Sequence, residues 1–250
     1  MKEENMTIEG RNPVAEALKA GTPIDKILIS ETARRETMGK IFALAKARGI
    51  PIQSVHAKKL AELAETEASQ GVIAVCAAAS YVSVEELLLR AEQKGTPPFL
   101  IIADEITDPH NLGAIIRTAN AVGADGVIIP KNRSAGSNAV VAKTSAGAVS
   151  YTPVARVTNL GQTIDRLKQS GIWVTGADMS GESTLYQSDL TGPIALVVGS
   201  EGKGISRLVR EKCDFLVQIP MFGEINSLNA SVAAAVMMYE IVRQRIAKKQ

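Results

Sequence analysis

Three segments of the chain carry side chains whose types and spacing suit chemistry. The first runs Asp104-Glu-Ile-Thr-Asp-Pro-His-Asn-Leu-Gly-Ala-Ile-Ile-Arg-Thr-Ala, from a strand end into a helix. It places Asn111 as the helix N-cap and Arg117 on the second turn, with Ile115, Ile116 and Ala119 flanking the guanidinium. Plain capping with a surface arginine accounts for this segment as well as a site does. The second, Leu196-Val-Val-Gly-Ser-Glu-Gly-Lys-Gly-Ile-Ser, is glycine-rich, yet it fails each familiar nucleotide pattern. Gly199, Gly202 and Gly204 reverse the dinucleotide spacing, and Lys203 is followed by glycine rather than Ser or Thr. Ser200 directly after Gly199 breaks the nucleophile elbow. What remains is a backbone that a ligand can approach closely, with Glu201 held among glycines; the alternative is a tight strand-to-helix turn. The third segment, Ile219-Pro-Met-Phe-Gly-Glu-Ile-Asn-Ser-Leu-Asn-Ala-Ser, enters a long helix. Ser227, Asn229 and Ser231 exceed the needs of one cap, and a helix start offers free N–H groups, which favours a binding site there.

These loops need a scaffold, and the composition supplies one. With 46% hydrophobic and 22% charged residues the 250-residue chain reads as globular rather than disordered or collagen-like. No uncharged apolar run approaches the ~20 residues that span a bilayer. The opening MKEENMTIEGR is polar and acidic, so no membrane association and a cytoplasmic location are expected. Cys76 and Cys213 suggest no disulfide, and His56 and His110 without a cysteine cluster argue against a metal site. The net charge of +2 decides little. Basic residues gather at Arg34 and Arg35, at Lys131 and Arg133, and at Arg243, Arg245, Lys248 and Lys249; the last group reads as a solvated helix face.

Residues 1–80 read as a small α/β domain. Asn12 caps a helix through Leu18, Ile24–Ile29 and Pro51–Val55 are strands around a helix over Gly39–Arg48, Lys58–Glu65 is helical, and Gly71–Ala77 is a buried strand. Residues 81–97 connect, with Ser83 and Glu86 as a capping box. From 98 to 250 the apolar runs Phe99–Ala103, Gly126–Ile129, Ile172–Gly176 and Ile194–Val198 alternate with helices, which implies a parallel sheet covered on both faces. Ligands in such sheets bind beyond the carboxyl ends of the strands, where the three segments fall. In the final helix, Val232, Val236, Tyr239, Val242 and Ile246 form an apolar stripe, expected mainly to face the core, with a second subunit as the alternative partner for a share of it.

The ordered segments N-L-G-A-I-I-R-T-A, G-S-E-G-K-G-I-S and I-P-M-x-G-x-x-x-S-L-N-A-S resemble the three motifs of the SpoU (TrmH) family, RNA ribose 2′-O-methyltransferases of the SPOUT superfamily. The opening Glu9-Gly-Arg-Asn-Pro-Val is similar to the start of that family's L30e-like RNA-binding domain, so the likeness spans nearly the whole chain. Departures are slight: Asn226 precedes the Ser-Leu-Asn core, and Ala234-Ala235 stands where glycine is common.

The resemblance implies an α/β fold whose catalytic part is a parallel-sheet SPOUT domain ending in a trefoil knot, which periodicity could not have shown. It implies S-adenosylmethionine as cofactor, contacted by Gly199, Ile219 and Leu228. It places Asn111, Arg117, Glu201, Ser227 and Asn229 in catalysis or substrate positioning, with Arg11, Asn12, Arg34 and Arg35 as candidate RNA contacts. Arg117 has been cast as the base, but an arginine stays protonated, so clamping a phosphate is the easier role. A homodimer paired through the knotted domain, with each site bordered by both chains, is also implied. The full-length pattern most resembles members that methylate a guanosine ribose in 23S ribosomal RNA; DNA is not an expected partner. Transfer RNA as the substrate, or a non-catalytic RNA-binding protein of the same fold, are the alternatives.

Overall fold

The computed structural model describes residues 7–64, 69–77, 79–181, 183–224 and 227–248. Glu65, Asn226, Lys249, the chain before Thr7 and the side chain of Arg35 lie outside the described residues. Two compact units emerge: residues 1–80 with 136–140, and residues 81–135 with 141–250.

In the first unit the elements are β1 (Thr7–Glu9), α1 (Arg11–Lys19), β2 (Ile24–Ser30), α2 (Arg35–Ala47), β3 (Ile52–Val55), α3 (Ala57–Leu63) and β4 (Val72–Cys76). The sheet order is β1-β4-β2-β3, with β4 antiparallel to both β1 and β2, and β3 parallel to β2. Val14 and Leu18 of α1 and Met38 and Ile41 of α2 bury against Ile27 and Val72, each such side chain contributing about 1.5–3 kcal/mol. Asn12 is not the cap of α1. The helix begins earlier, because Gly10 at φ 90° turns the chain out of β1 while its N–H donates to the Val72 carbonyl (3.1 Å). Asn12 is left exposed in the first turn.

The second unit runs α4 (Val84–Gln93), β5 (Phe99–Ala103), α5 (Pro109–Ala121), β6 (Gly126–Pro130), α6 (Ala139–Thr144), β7 (Val154–Val157), α7 (Leu160–Gln169), β8 (Trp173–Ala177), β9 (Ser183–Thr184), β10 (Ile194–Val198), α8 (Arg207–Arg210), β11 (Phe215–Gln218) and α9 (Ala230–Ala247). The Ser83 hydroxyl accepts from Glu86 N–H at 3.0 Å, as the capping box predicts. Every pairing in the order β7-β6-β5-β10-β8-β11-β9 is parallel. The continuously apolar β5 and β10 are buried throughout. From β5 the chain builds outward through β6 and β7, then crosses to β8 and finally inserts β10 between β5 and β8. The carboxyl ends of β8, β10 and β11 border one cavity, on the side where α/β sheets take their ligands. Among the described residues no helix is long and apolar enough to cross a membrane.

Two expectations for α9 are corrected. The buried stripe is Ala230, Ala234, Met237, Met238 and Ile241, while Val232, Tyr239 and Ile246 are each about half exposed. Both stripes are apolar at helical spacing, so periodicity could not choose between them. Of the tail cations, Arg243 and Lys248 are exposed, as a solvated face predicts, while Arg245 is drawn in against the sheet. Arg243 grips the buried Glu240 through two bonds of 2.7 Å, which hold that carboxyl below its usual range. Arg245 donates to the carbonyls of Pro97, Pro98 and Gly192 and lies over the Phe99 ring, and Lys248 donates to the Thr191 hydroxyl. The Arg245 and Lys248 bonds staple α9 to the amino ends of β5 and β10.

Candidate active site

The segment after β10 folds back on itself as a pinched turn. Ser200 N–H donates to the Gly204 carbonyl at 3.0 Å, Gly204 N–H returns to Ser200 at 2.8 Å, and Gly204 adopts φ 64°. The buried Asp104 at the end of β5 accepts from Ser206 N–H at 2.7 Å and so ties the base of this turn to the neighbouring strand. A Cβ on Gly199 would lie 2.0 Å from the Gly204 carbonyl carbon. The glycine is therefore required by the chain's own backbone, whether or not a ligand also approaches it.

Glu201 sits in that turn and meets residues from two other loops. Asn111 Nδ2 donates to Glu201 Oε1 at 3.1 Å; Asn229 Nδ2 donates to Asn111 Oδ1 at 3.0 Å and also to Glu201 Oε1. Asn111 is not the N-cap of α5. Asp108 holds that position, its carboxylate accepting from His110 N–H (2.9 Å) ahead of Pro109, and this leaves the Asn111 amide buried and free to turn toward Glu201. Asn229 works at both ends of its amide. Oδ1 caps α9 by accepting from Ser231 N–H (3.0 Å), the Ser231 hydroxyl (2.6 Å) and Val232 N–H (3.3 Å), while Nδ2 serves the network. Asn229→Ala removes both and is expected to destabilise the chain by about 1–2 kcal/mol, with Asn229→Ser, which keeps a capping acceptor without setting a second carboxylate against Glu201, costing less in chemical denaturation. If the serine variant is as unstable as the alanine one, the network and not the cap carries the stability.

Beside this cluster lies a cavity of about 450 Å³, within the range of small-molecule sites. Gly199, Ile219 and Leu228 line it, as do Glu201 and Ser227. The structure thus brings together Asn111, Glu201 and Asn229, and sets Ser227 with the three expected cofactor contacts on one wall. Arg117 stands apart: it lies on the exposed face of α5, six residues beyond Asn111, and does not line the cavity. Sequence reasoning missed Asp178, Lys203, Arg210 and Met221 on the cavity wall, and Asp104 behind it. Asp178 and Asp104 had a usable signal, since each follows the carboxyl end of a parallel strand.

In the first unit, Arg11, Asn12 and Arg34 come to one end of the small sheet, where β1 and β2 end and β4 begins. Arg11 donates through its N–H and Nε to Gln70 Oε1 (3.2 and 3.3 Å), and Arg34 is exposed at the start of α2. Neither cysteine suits nucleophilic chemistry. Burial, aided by Asp214, pushes the Cys213 thiol up to about 12, and burial also raises Cys76.

Comparison with known proteins identifies the family. The SpoU rRNA Methylase family matches residues 98–239, and the RNA 2′-O ribose methyltransferase substrate-binding domain matches residues 7–82. The Bacillus subtilis protein YacO, named as a TrmH family tRNA/rRNA methyltransferase, is 47% identical over 245 residues, 98% of each chain. A Staphylococcus aureus protein of the same family name is 46% identical over 242 residues, 97% of each chain. Among solved structures, the SpoU methyltransferase AviRb from Streptomyces viridochromogenes, crystallised with AdoMet, is 27% identical with a TM-score of 0.62, covering 96% of this chain and 90% of that one. Matched over both units, the chain belongs to the SpoU methyltransferase family.

Proposed function

We propose that the protein transfers a methyl group from S-adenosylmethionine to a ribose 2′-hydroxyl in RNA, with a guanosine of 23S ribosomal RNA as the target. The observation that carries this reading is the convergence of Asn111, Glu201 and Asn229 beside the cavity lined by Gly199, Ile219 and Leu228. The cavity fits the cofactor by chemistry: Val198, Ile219 and Leu228 offer apolar surface for a purine, and charged side chains stand on the same wall. When bound, the cofactor supplies a methyl made electrophilic by its sulfonium. The protein's task is then alignment of the attacking oxygen, which can lower a barrier by several kcal/mol. Ser227 and the Asn111–Glu201–Asn229 cluster hold the ribose corner. Glu201 is the anion there, and its Oε2 makes no hydrogen bond among the described residues, so we assign it the departing hydroxyl proton. Arg117, permanently charged, takes the neighbouring phosphate.

Arg117 lies outside the cluster of its own chain, and the α9 stripe of Val232, Tyr239 and Ile246 is half exposed. Both features support a homodimer paired through the knotted methyltransferase part, in which Arg117 of one protomer completes the site of the other. The small domain holds RNA through Arg11, Asn12, Arg34 and Arg35, within the cytoplasm. Transfer RNA remains a second reading, because the relatives' names cover both substrates.

The test is transfer of radiolabelled methyl from S-adenosylmethionine to unmodified ribosomal and transfer RNA offered separately. Label in 23S RNA that survives alkali within a resistant dinucleotide is the expected result. Label confined to transfer RNA keeps the chemistry and overturns the target. Cofactor binding with no label in any RNA or ribosomal particle overturns the enzyme reading.

A further inference from the structure

The cavity carries a charged pair that neither the cluster nor the fold uses. Asp178 leaves the carboxyl end of β8 with its side chain mostly buried; Oδ1 accepts from Ser180 N–H (2.9 Å) and the Ser180 hydroxyl (2.7 Å). Oδ2 faces Arg210 Nη1 at 4.0 Å, too far for a hydrogen bond. Arg210, from the short α8, has a side chain 43% exposed and makes no hydrogen bond with its guanidinium among the described residues. At that separation, with Arg210 in contact with solvent, the pair contributes little to stability. What the two side chains do present, side by side on a cavity wall, is one open carboxylate oxygen and one open guanidinium fork.

That combination complements an α-amino acid. A guanidinium takes a carboxylate through two parallel N–H bonds, and a carboxylate oxygen takes an ammonium. The other charges on the wall are differently placed: Glu201 is engaged by the two asparagines, and Lys203 lies on the pinched turn as a point charge without a fork. Resting on the S-adenosylmethionine reading above, we propose that Asp178 and Arg210 form the subsite for the cofactor's amino-acid end, with Arg210 receiving the α-carboxylate and Asp178 the α-ammonium. The remaining wall, apolar at Val198, Ile219 and Leu228, is left to the adenosine.

The test compares two ligands by calorimetry on the full chain: S-adenosylhomocysteine, which keeps the amino-acid end, and methylthioadenosine, which lacks it but keeps the base and ribose. Arg210→Gln and Asp178→Asn should each weaken S-adenosylhomocysteine by about tenfold or more, the size of a lost charge-assisted hydrogen bond, and leave methylthioadenosine within about twofold. Lys46→Gln, in α2 of the first unit, should move neither. Equal weakening of both ligands by Asp178→Asn would put that carboxylate on the ribose hydroxyls and overturn the assignment. Variants that match the wild type for both ligands overturn it as well, while leaving the cofactor reading intact. Wild-type protein that binds neither nucleoside overturns the cofactor reading and the subsite with it. Unchanged melting of the variants shows that any loss is not one of folding.

Discussion

Arg117→Ala is expected to lower methyl transfer by about 10²–10⁴-fold, the range for removing a group that positions or polarises the reacting atoms, while cofactor affinity stays within about twofold. The split follows from place. Arg117 is exposed on α5 and touches neither the cavity nor the Asn111–Glu201–Asn229 cluster of its own chain, so its loss should change the fold by no more than about 0.5 kcal/mol. Arg117→Lys should rescue poorly, because an ammonium cannot grip a phosphate through two parallel bonds. The same exposure makes a sharper test available. If each site takes Arg117 from the partner protomer, then mixing the Arg117→Ala and Glu201→Gln chains gives dimers with both lesions in one site and none in the other. With random pairing, activity should return to about a quarter of the wild-type value. Mixtures no more active than either parent would place Arg117 in the site of its own chain. An equal loss of cofactor binding in Arg117→Ala would remove it from substrate positioning altogether.

How much of this was legible in the sequence differs from element to element, for physical reasons. Phe99–Ala103 and Ile194–Val198 announced themselves because a parallel strand buried on both faces must be apolar throughout. Thr7–Glu9, Val154–Val157 and Ser183–Thr184 carried no such run: each is a short strand at an end of its sheet, where one flank needs no apolar partner. The motif loops marked where the site would be but not how its parts meet. Asn111 reads as a cap until Asp108-Pro109 takes that position, and nothing local to Asn229 shows that one amide both caps α9 and reaches Glu201, 28 residues away. Asp178 and Arg210 belong to no motif, and only the parallel register of β8 with β10 and β11 brings their loops to one wall. Arg245, read by charge alone, was given the wrong surroundings, because carbonyl groups at strand ends leave no pattern in a sequence.

Gly199→Ala carries the second large effect, and it separates two reasons for one glycine. Were the residue small only so that a cofactor could approach, the alanine variant would fold normally and lose affinity alone. The structure argues for more. The added methyl would stand 2.0 Å from the Gly204 carbonyl carbon and 2.2 Å from both the Gly204 oxygen and the Ile205 nitrogen, all backbone atoms with no rotamer to escape into. Gly199 itself has no positive φ, so the conflict is steric rather than conformational. Relief requires the Ser200–Gly204 pinch to open, which strains the Ser206 N–H bond to Asp104 and moves Glu201 away from the two asparagines. Such overpacking typically costs about 1–3 kcal/mol, and contact with rigid backbone rather than side chain puts this case at the upper end. Denaturation without any ligand should therefore show the loss, and cofactor binding should fall with it. Gly202→Ala is the control from the same turn: nothing lies within 4 Å of its added methyl, so its stability should stay within about 0.5 kcal/mol of the wild type. Equal ligand-free stability of the Gly199→Ala and wild-type chains would return that glycine to a purely ligand-facing role.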